Sequence, residues 1–219
     1  MILLAIAVIA IAYQVVAILA CIFFRASRGS RPAPRMPVSI LKPVHGLDAG
    51  FRDAIASHAA LQGDFELLCG VANLDDSAVL TIREFPAARV IQCPSRAPNG
   101  KAAVLGDLAR LARNPILVVN DADIRVEPDY LSRVAAPLAD PGVGLVTCLY
   151  RPVARNFAAR FEGLAVSTDF APSTLVARMF GVDEFALGST LAFRRADDES
   201  ADAKPKPTAK ALTNAEMPF

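Results

Sequence analysis

Ile116-Leu117-Val118-Val119-Asn120-Asp121-Ala122-Asp123 is the stretch on which the reading of this chain turns. A short run of apolar side chains, cut off at once by polar ones, marks a strand buried on both faces of a sheet. Asp121 and Asp123 then lie just past the carboxyl end of that strand, which is where open α/β sheets bind ligands. In extended chain, residues two apart point to one side, so both carboxylates are expected to converge on one hard cation, Mg2+ or Mn2+. Such an ion bridges a diphosphate and neutralises its charge as it departs. A bare Asp-x-Asp is common in solvated turns and helix caps; its place at a strand end is what favours the functional reading.

Outward from this stretch, apolar runs at residues 38–41, 65–72, 89–93 and 142–149 are bounded by polar, Gly or Pro punctuation, as buried strands are. Helical spacing fills 49–62, 77–85, 101–113 and 128–136. Strands alternating with helices predict an α/β domain over residues 38–195, built on a mostly parallel, Rossmann-like sheet covered on both faces. Cys69, Cys93 and Cys148 sit in the apolar runs, as reduced thiols do, with no disulfide framework or metal-binding spacing.

The 219-residue chain has 53% hydrophobic residues and a mean hydropathy of +0.37, more than an ordinary soluble domain carries. The excess lies in residues 1–24, which hold no charged side chain and suit one transmembrane helix. A signal peptide would start with basic residues and have a shorter apolar run. Residues 25–37 read as a basic linker, whose Arg25, Arg28, Arg31 and Arg35 keep the remainder of the chain on the cytoplasmic side. The net charge of +1 gives no basic excess, and no nucleic-acid partner is expected.

Residues 157–180 form a longer, mostly apolar stretch with scattered charges, in which Pro172 should break or kink a helix. A helix packed on the sheet is the expected role, since apolar faces are usually core; a helix in the membrane interface near a lipid acceptor is the alternative. Residues 196–219 lack apolar periodicity and are expected to be a disordered tail.

Two further groups could touch a nucleotide. Asp75 and Asp76 follow the 65–72 run, able either to accept hydrogen bonds from a base or ribose or to cap the helix starting near Ser77; the cap is the simpler reading. Asn99-Gly100-Lys101 opens the 101–113 helix and offers a cation and backbone N–H groups to phosphate, although a lone Lys at a helix start is usually a surface charge.

Together with Ser39-Ile40-Leu41-Lys42-Pro43, His45-Gly46, Leu67-Leu68-Cys69, Gly144-Leu145-Val146-Thr147 and Leu187-Gly188-Ser189-Thr190, these motifs occur in the order found in ceramide glucosyltransferase-like enzymes. The chain resembles that family over about residues 2–195, and most of all its bacterial branch tied to hopanoid biosynthesis, particularly through residues 185–195. The resemblance implies a glycosyltransferase-A fold and inverting transfer of a sugar from a UDP-sugar to a hopanoid or ceramide-like lipid at the cytosolic face of the inner membrane. It implies that Lys42, Pro43, His45, Asp75, Asp76 and Lys101 line the nucleotide site, that Asp121 with Asp123 holds the metal, and that Gly188 and Ser189 lie near the donor sugar.

Members of that family continue past the segment resembling 185–195 with an acidic pair supplying the general base, a Gln-x-x-Arg-Trp-type motif and further membrane helices. This sequence has no tryptophan, and Asp197-Asp198-Glu199 lacks the family's surroundings. A C-terminally truncated domain, impaired about 10²- to 10⁴-fold by loss of the base, is therefore expected. Two other functions compete: a catalytically inactive nucleotide-sugar-binding remnant, and a metal-dependent nucleotidyltransferase, whose Gly-rich and basic triphosphate-binding elements are missing.

Overall fold

The computed structural model describes residues 1–26, 36–95, 97–153, 156–182, 185–195 and 209–213. The chain divides into two compact units: Pro32–Tyr150 with Ala186–Phe219, and Met1–Arg31 with Arg151–Phe185. The first is a sheet domain and the second is helical.

In the sheet domain, strands β1 (Val38–Pro43), β2 (Phe65–Val71), β3 (Ala88–Gln92) and β4 (Ile116–Asn120) alternate with helices α2 (Phe51–Ala59), α3 (Ala78–Arg83) and α4 (Gly100–Leu111). Helix α5 (Tyr130–Ala135) runs into a 3₁₀ turn, and β5 (Leu145–Cys148) comes next. The neighbours β3-β2-β1-β4 are parallel, as the alternation predicts. Beyond β4 the sheet continues with β6 (Thr190–Arg194), antiparallel to both β4 and β5. The sequence pattern gave no sign of this reversal, because strand direction leaves no mark on side-chain alternation.

Every residue of β4 is buried, and β1 and β6 hydrogen-bond its two edges. That double pairing places the end of β4 in the interior of the sheet, with the ends of β1 and β2 beside it. Apolar layers close over both faces: Ile55, Ile82, Tyr130 and Val134 belong to one cluster, Val104 and Leu108 of α4 to the other. Gly70 of β2 allows α4 to come this near, since a Cβ there would lie 2.6 Å from Val104 Cγ1 and 2.9 Å from Leu108 Cδ1. The buried cysteines are free, with the thiol of Cys69 pushed up to about 12 and that of Cys93 to about 11, chiefly by burial. Neither is a thiolate at neutral pH.

The tail expected to be disordered contributes one element: Ala209–Thr213 forms β7, parallel to β5 at the sheet margin. An open edge offers unpaired backbone N–H and C=O groups, so a segment without apolar periodicity still pairs there. The rest of residues 196–219, and most of the basic linker with Arg28, Arg31 and Arg35, lie outside the described residues.

In the helical unit, Arg151–Phe185 groups with the N-terminal helix α1 (Ile2–Ala26). Helix α1 has 25 residues, long and apolar enough to cross a membrane. The 157–180 stretch forms α6 (Phe157–Ala165), a π turn over Val166–Phe170 and α7 (Ala171–Met179). Pro172 stands in the first turn of α7, where a missing N–H is tolerated, and the π turn just before it absorbs the change in register. Helix α6 buries none of its residues.

The Gly70 contact gives a direct check. Gly70→Ala should cost about 1–3 kcal/mol, as overpacked core sites do, read as a lower urea midpoint; an unchanged midpoint would show that α4 does not sit against β2 as described.

Candidate functional site

Within the sheet domain, hydrogen bonds tie the loop after β1 to the loop after β2, and tie the loop after β4 to the start of α4, the turn before β6 and Lys42 of β1. After β4 the chain does not stay extended: Ile124 N–H donates to Asp121 C=O at 3.3 Å, closing a turn over residues 121–124. The two-residue alternation expected to align Asp121 and Asp123 therefore does not apply. They are instead the first and third residues of this turn.

Asp121 is held from three sides. Its N–H donates to Ser189 C=O at 3.2 Å, and its own C=O accepts from Lys42 Nζ at 2.6 Å. Its carboxylate receives Lys101 Nζ. Lys42 is wholly buried, so this ammonium supports the turn from beneath, whereas Lys101 is exposed and meets the carboxylate near solvent. Lys101 is aimed by the start of α4, where Asn99 Oδ1 accepts from Ala102 N–H at 3.2 Å. Asp107, one turn and more along the helix, accepts from Ser95 N–H at 2.9 Å and fixes the approach of the preceding loop. Those Ser95 hydrogen bonds hold the Asp107 carboxyl below its usual range. Asp123 is exposed and makes no hydrogen bond to other described residues.

Asp76 performs a different task from Asp75. Its carboxylate accepts from Gly46 N–H at 2.9 Å and from Ala78 N–H at 2.9 Å. It thus caps the start of α3, the simpler of the two sequence readings, and also ties down the loop after β1. His45 Nδ1 lies 3.8 Å from the same carboxylate, with its side chain fully exposed. Asp75 is exposed and bonds only locally, its N–H donating to Asn73 Oδ1 at 3.3 Å. Pro43 ends β1 beside Gly70.

Gly188 and Ser189 are positioned by Thr147, whose hydroxyl accepts from Leu187 N–H at 2.8 Å. The Ser189 hydroxyl is buried and has no hydrogen-bond partner among the described residues. An unmatched buried hydroxyl next to the Asp121 turn is uncommon, because it forfeits its hydrogen bonds to water.

Beneath these loops lies a polar cluster to which sequence reasoning assigned no role. Asn120 Nδ2 donates to Thr190 Oγ1 at 2.7 Å and to Tyr130 Oη at 3.0 Å, and His58 Nε2 lies 3.3 Å from Asn120 Oδ1. His58 Nδ1 lies 2.9 Å from Ala54 C=O. The available signal was the polar Asn120 at the end of a wholly apolar strand and one of only two histidines in the chain, His58, set among apolar helix residues. Burial, and after it the positive charge of Lys42, lowers the His58 pKa to about 3.

Comparison with known proteins identifies the family and the fold. The family model for glycosyl transferase family 21 matches residues 2–201. The chain belongs to that family. No curated protein matches it. Among solved structures, the Pyrobaculum calidifontis mannosyltransferase in complex with GDP-Man and Mn2+ has TM-score 0.61 and 17% identity, over 94% of this chain and 69% of its own. Glucosyl-3-phosphoglycerate synthase from Mycobacterium tuberculosis, in complex with Mn2+, uridine diphosphate and phosphoglyceric acid, has TM-score 0.53 and 18% identity, over 82% and 69%. S. aureus TarS 1–349 with UDP-GlcNAc has TM-score 0.52 and 11% identity, over 84% and 57%. These likenesses establish the glycosyltransferase-A type fold of this family 21 domain.

The family 21 domain should lose stability in mild acid through His58. Folded, the ring stays neutral down to about pH 3, while in the unfolded chain it takes up a proton near 6.5. Its contribution is therefore complete above about 6.5 and declines as pH falls from there toward 3, by at most about 1.4 kcal/mol per pH unit. His58→Gln should flatten the fall in melting midpoint between pH 7 and 5; an unaltered slope would remove His58 from that account.

Proposed function

We propose that this family 21 chain is a membrane-anchored, inverting glycosyltransferase that moves a sugar from a UDP-sugar to a lipid acceptor of the hopanoid or ceramide type. The observation that carries the reading is the Asp121 turn at the end of β4, gripped by Lys42 from below and by Lys101 at its carboxylate. On this reading, a diphosphate leaving group would develop its charge beside these two ammonium groups and the Asp121 carboxylate. The ligands named for structures of the same fold, GDP-Man or uridine diphosphate with Mn2+, support the same chemistry.

A divalent cation fits the donors present. Asp121 and Asp123 supply hard carboxylate oxygens, and Asp123 is exposed with no competing protein partner among the described residues. No group of three or more His, Cys, Asp or Glu among the described residues could hold a metal ion alone. Mg2+ is usually bound through one or two carboxylates, with substrate phosphates and water filling the rest of the shell. When bound, the ion would neutralise charge on the departing diphosphate.

The protein's own residues divide the remaining work. Lys101 presents a cation at the phosphate side, and the first N–H groups of α4 add their partial positive charge. Asp76 fixes the loop bearing His45 and Gly46, leaving Asp75 and His45 exposed for the uridine. Gly188 and Ser189, pinned by Thr147, line the donor-sugar side. The Ser189 hydroxyl, which has no partner among the described residues, supports a polar ligand group there. Helix α1 would anchor the domain, with Arg25 at its end favouring the cytosolic face of the inner membrane.

Titration of the purified chain with UDP, with and without Mn2+, tests this reading. Asp121→Asn should weaken Mn2+-dependent UDP binding at least about tenfold, or about 1.4 kcal/mol, and leave metal-free binding unchanged. Equal affinities in the presence of Mn2+ would refute the metal assignment. Release of UDP from a UDP-sugar in lipid vesicles distinguishes an active transferase from a chain that only binds.

A further inference from the structure

The helical unit carries an apolar face that neither its own packing nor the proposed transfer reaction uses. Phe157, Phe161 and Leu164 of α6 are 83%, 69% and 56% exposed. At about 100° per residue these three positions fall within roughly 60° of arc, a single stripe along the helix. Glu162 points to the opposite side on the same count, and Arg160 sits at the stripe's edge, where a long side chain reaches water while its stem stays among apolar groups.

The hydroxyls of this segment point the same way. Ser167 Oγ donates to Gly163 C=O at 2.8 Å, and Thr168 Oγ1 to Leu164 C=O at 2.8 Å. Ser173 Oγ and Thr174 Oγ1 donate to Phe170 C=O at 3.0 and 2.8 Å. All four side chains spend their hydrogen on the helix backbone. Exposed or half-buried hydroxyls arranged this way need nothing from water, which suits a helix in contact with hydrocarbon.

The neighbouring helix indicates what covers the stripe. Helix α7, joined to α6 through the π turn, packs on α1, and the buried residues of α1 are Ala17 and Ala20, near its C-terminal end. Small side chains at a helix contact are what membrane helices use to approach closely. The remaining surface of α1 is apolar and open, from Ile2 at 78% to Phe23 at 58% exposure. The α6 stripe is therefore attached at that end of a helix that itself calls for lipid.

We infer that α6 lies in the interface of the bilayer, parallel to its surface, with Phe157, Phe161 and Leu164 among the upper acyl chains and Arg160 toward the headgroups. This rests on the reading of α1 as the anchor. The protein then touches the membrane in two ways: a helix that crosses it, and a second that rests in it.

The absence of tryptophan from the chain makes the test direct. Three single-tryptophan variants of the full chain, Phe161→Trp in α6, Ile11→Trp in α1 and Leu80→Trp in α3, are reconstituted in phosphatidylcholine–phosphatidylglycerol vesicles. The lipids carry bromine near the headgroup or deep in the acyl chain, and iodide is added from the water. Shallow interfacial burial predicts that shallow bromines quench Phe161→Trp at least about twofold more than deep ones do. Ile11→Trp should show the reverse preference, and Leu80→Trp should respond to iodide alone. If Phe161→Trp answers to iodide and not to bromine while Ile11→Trp is deeply quenched, the anchor stands and the inference about α6 is wrong. Shielding of Phe161→Trp from both quenchers would mean that protein, such as a second copy, covers the stripe, and would also overturn it. Preferential deep quenching of Phe161→Trp would make α6 a spanning helix and overturn it as well. Failure of any bromine to quench Ile11→Trp would sink the anchor reading and this inference with it.

Discussion

A polar group withdrawn from water must find its partners inside the protein, and that constraint governs the end of β4. Asn120 closes the strand with its side chain wholly buried, and it is matched by Thr190 from β6, Tyr130 from α5 and His58 from α2. Four elements are thereby fixed to one point. A buried network of this kind is stiff, because moving any member strands the others without a partner. The Asp121 turn follows it directly, so the acidic residues proposed to meet metal and diphosphate are mounted next to a buried hydrogen-bonded cluster. Positioning of that quality is what electrostatic catalysis requires, since charges aimed in advance need not reorganise during reaction.

The antiparallel strand β6 is what completes this arrangement. Running against β4, it delivers Thr190 to the buried cluster and Ser189 to the Asp121 backbone in consecutive residues. A parallel strand at that place would bring its carboxyl end to the site and leave the Leu187–Thr190 segment at the far margin. Lys42 links the two levels. Its ammonium bonds to the Asp121 carbonyl above, and its charge helps keep His58 neutral below. A neutral imidazole can share a buried space with a lysine ammonium; two buried cations side by side would repel strongly in so low a dielectric.

The two units answer the hydrophobic effect in opposite ways. The sheet domain encloses its apolar residues in layers around the strands, while α1 and α6 leave theirs open. For the transfer to a lipid acceptor proposed above, both arrangements would serve one end. On the proposed reading, a rigid polar site would handle the nucleotide, and an apolar body would hold the enzyme where an acceptor of low water solubility is concentrated. Substrate that never has to leave the bilayer is met at high local concentration.

The sequence by itself settled much of this. The apolar runs located β1 to β5 within a few residues, because burial on both faces leaves an uninterrupted signature, and the charge-free start announced a membrane-length helix. It also singled out Asp121, Lys42, Lys101 and Ser189, which the fold joins by direct contacts. Only the tertiary structure decided the direction of β6, the pairing of β7, the grouping of 151–185 with α1 and the turn that replaces extended chain at Asp121. It alone separated Asp76, which ties two loops together, from its exposed neighbour Asp75. The physical reason is common to all of these. Periodicity records how much of a residue is buried, whereas strand direction, loop closure and the choice of hydrogen-bond partner depend on groups distant in the chain, and no local pattern encodes them.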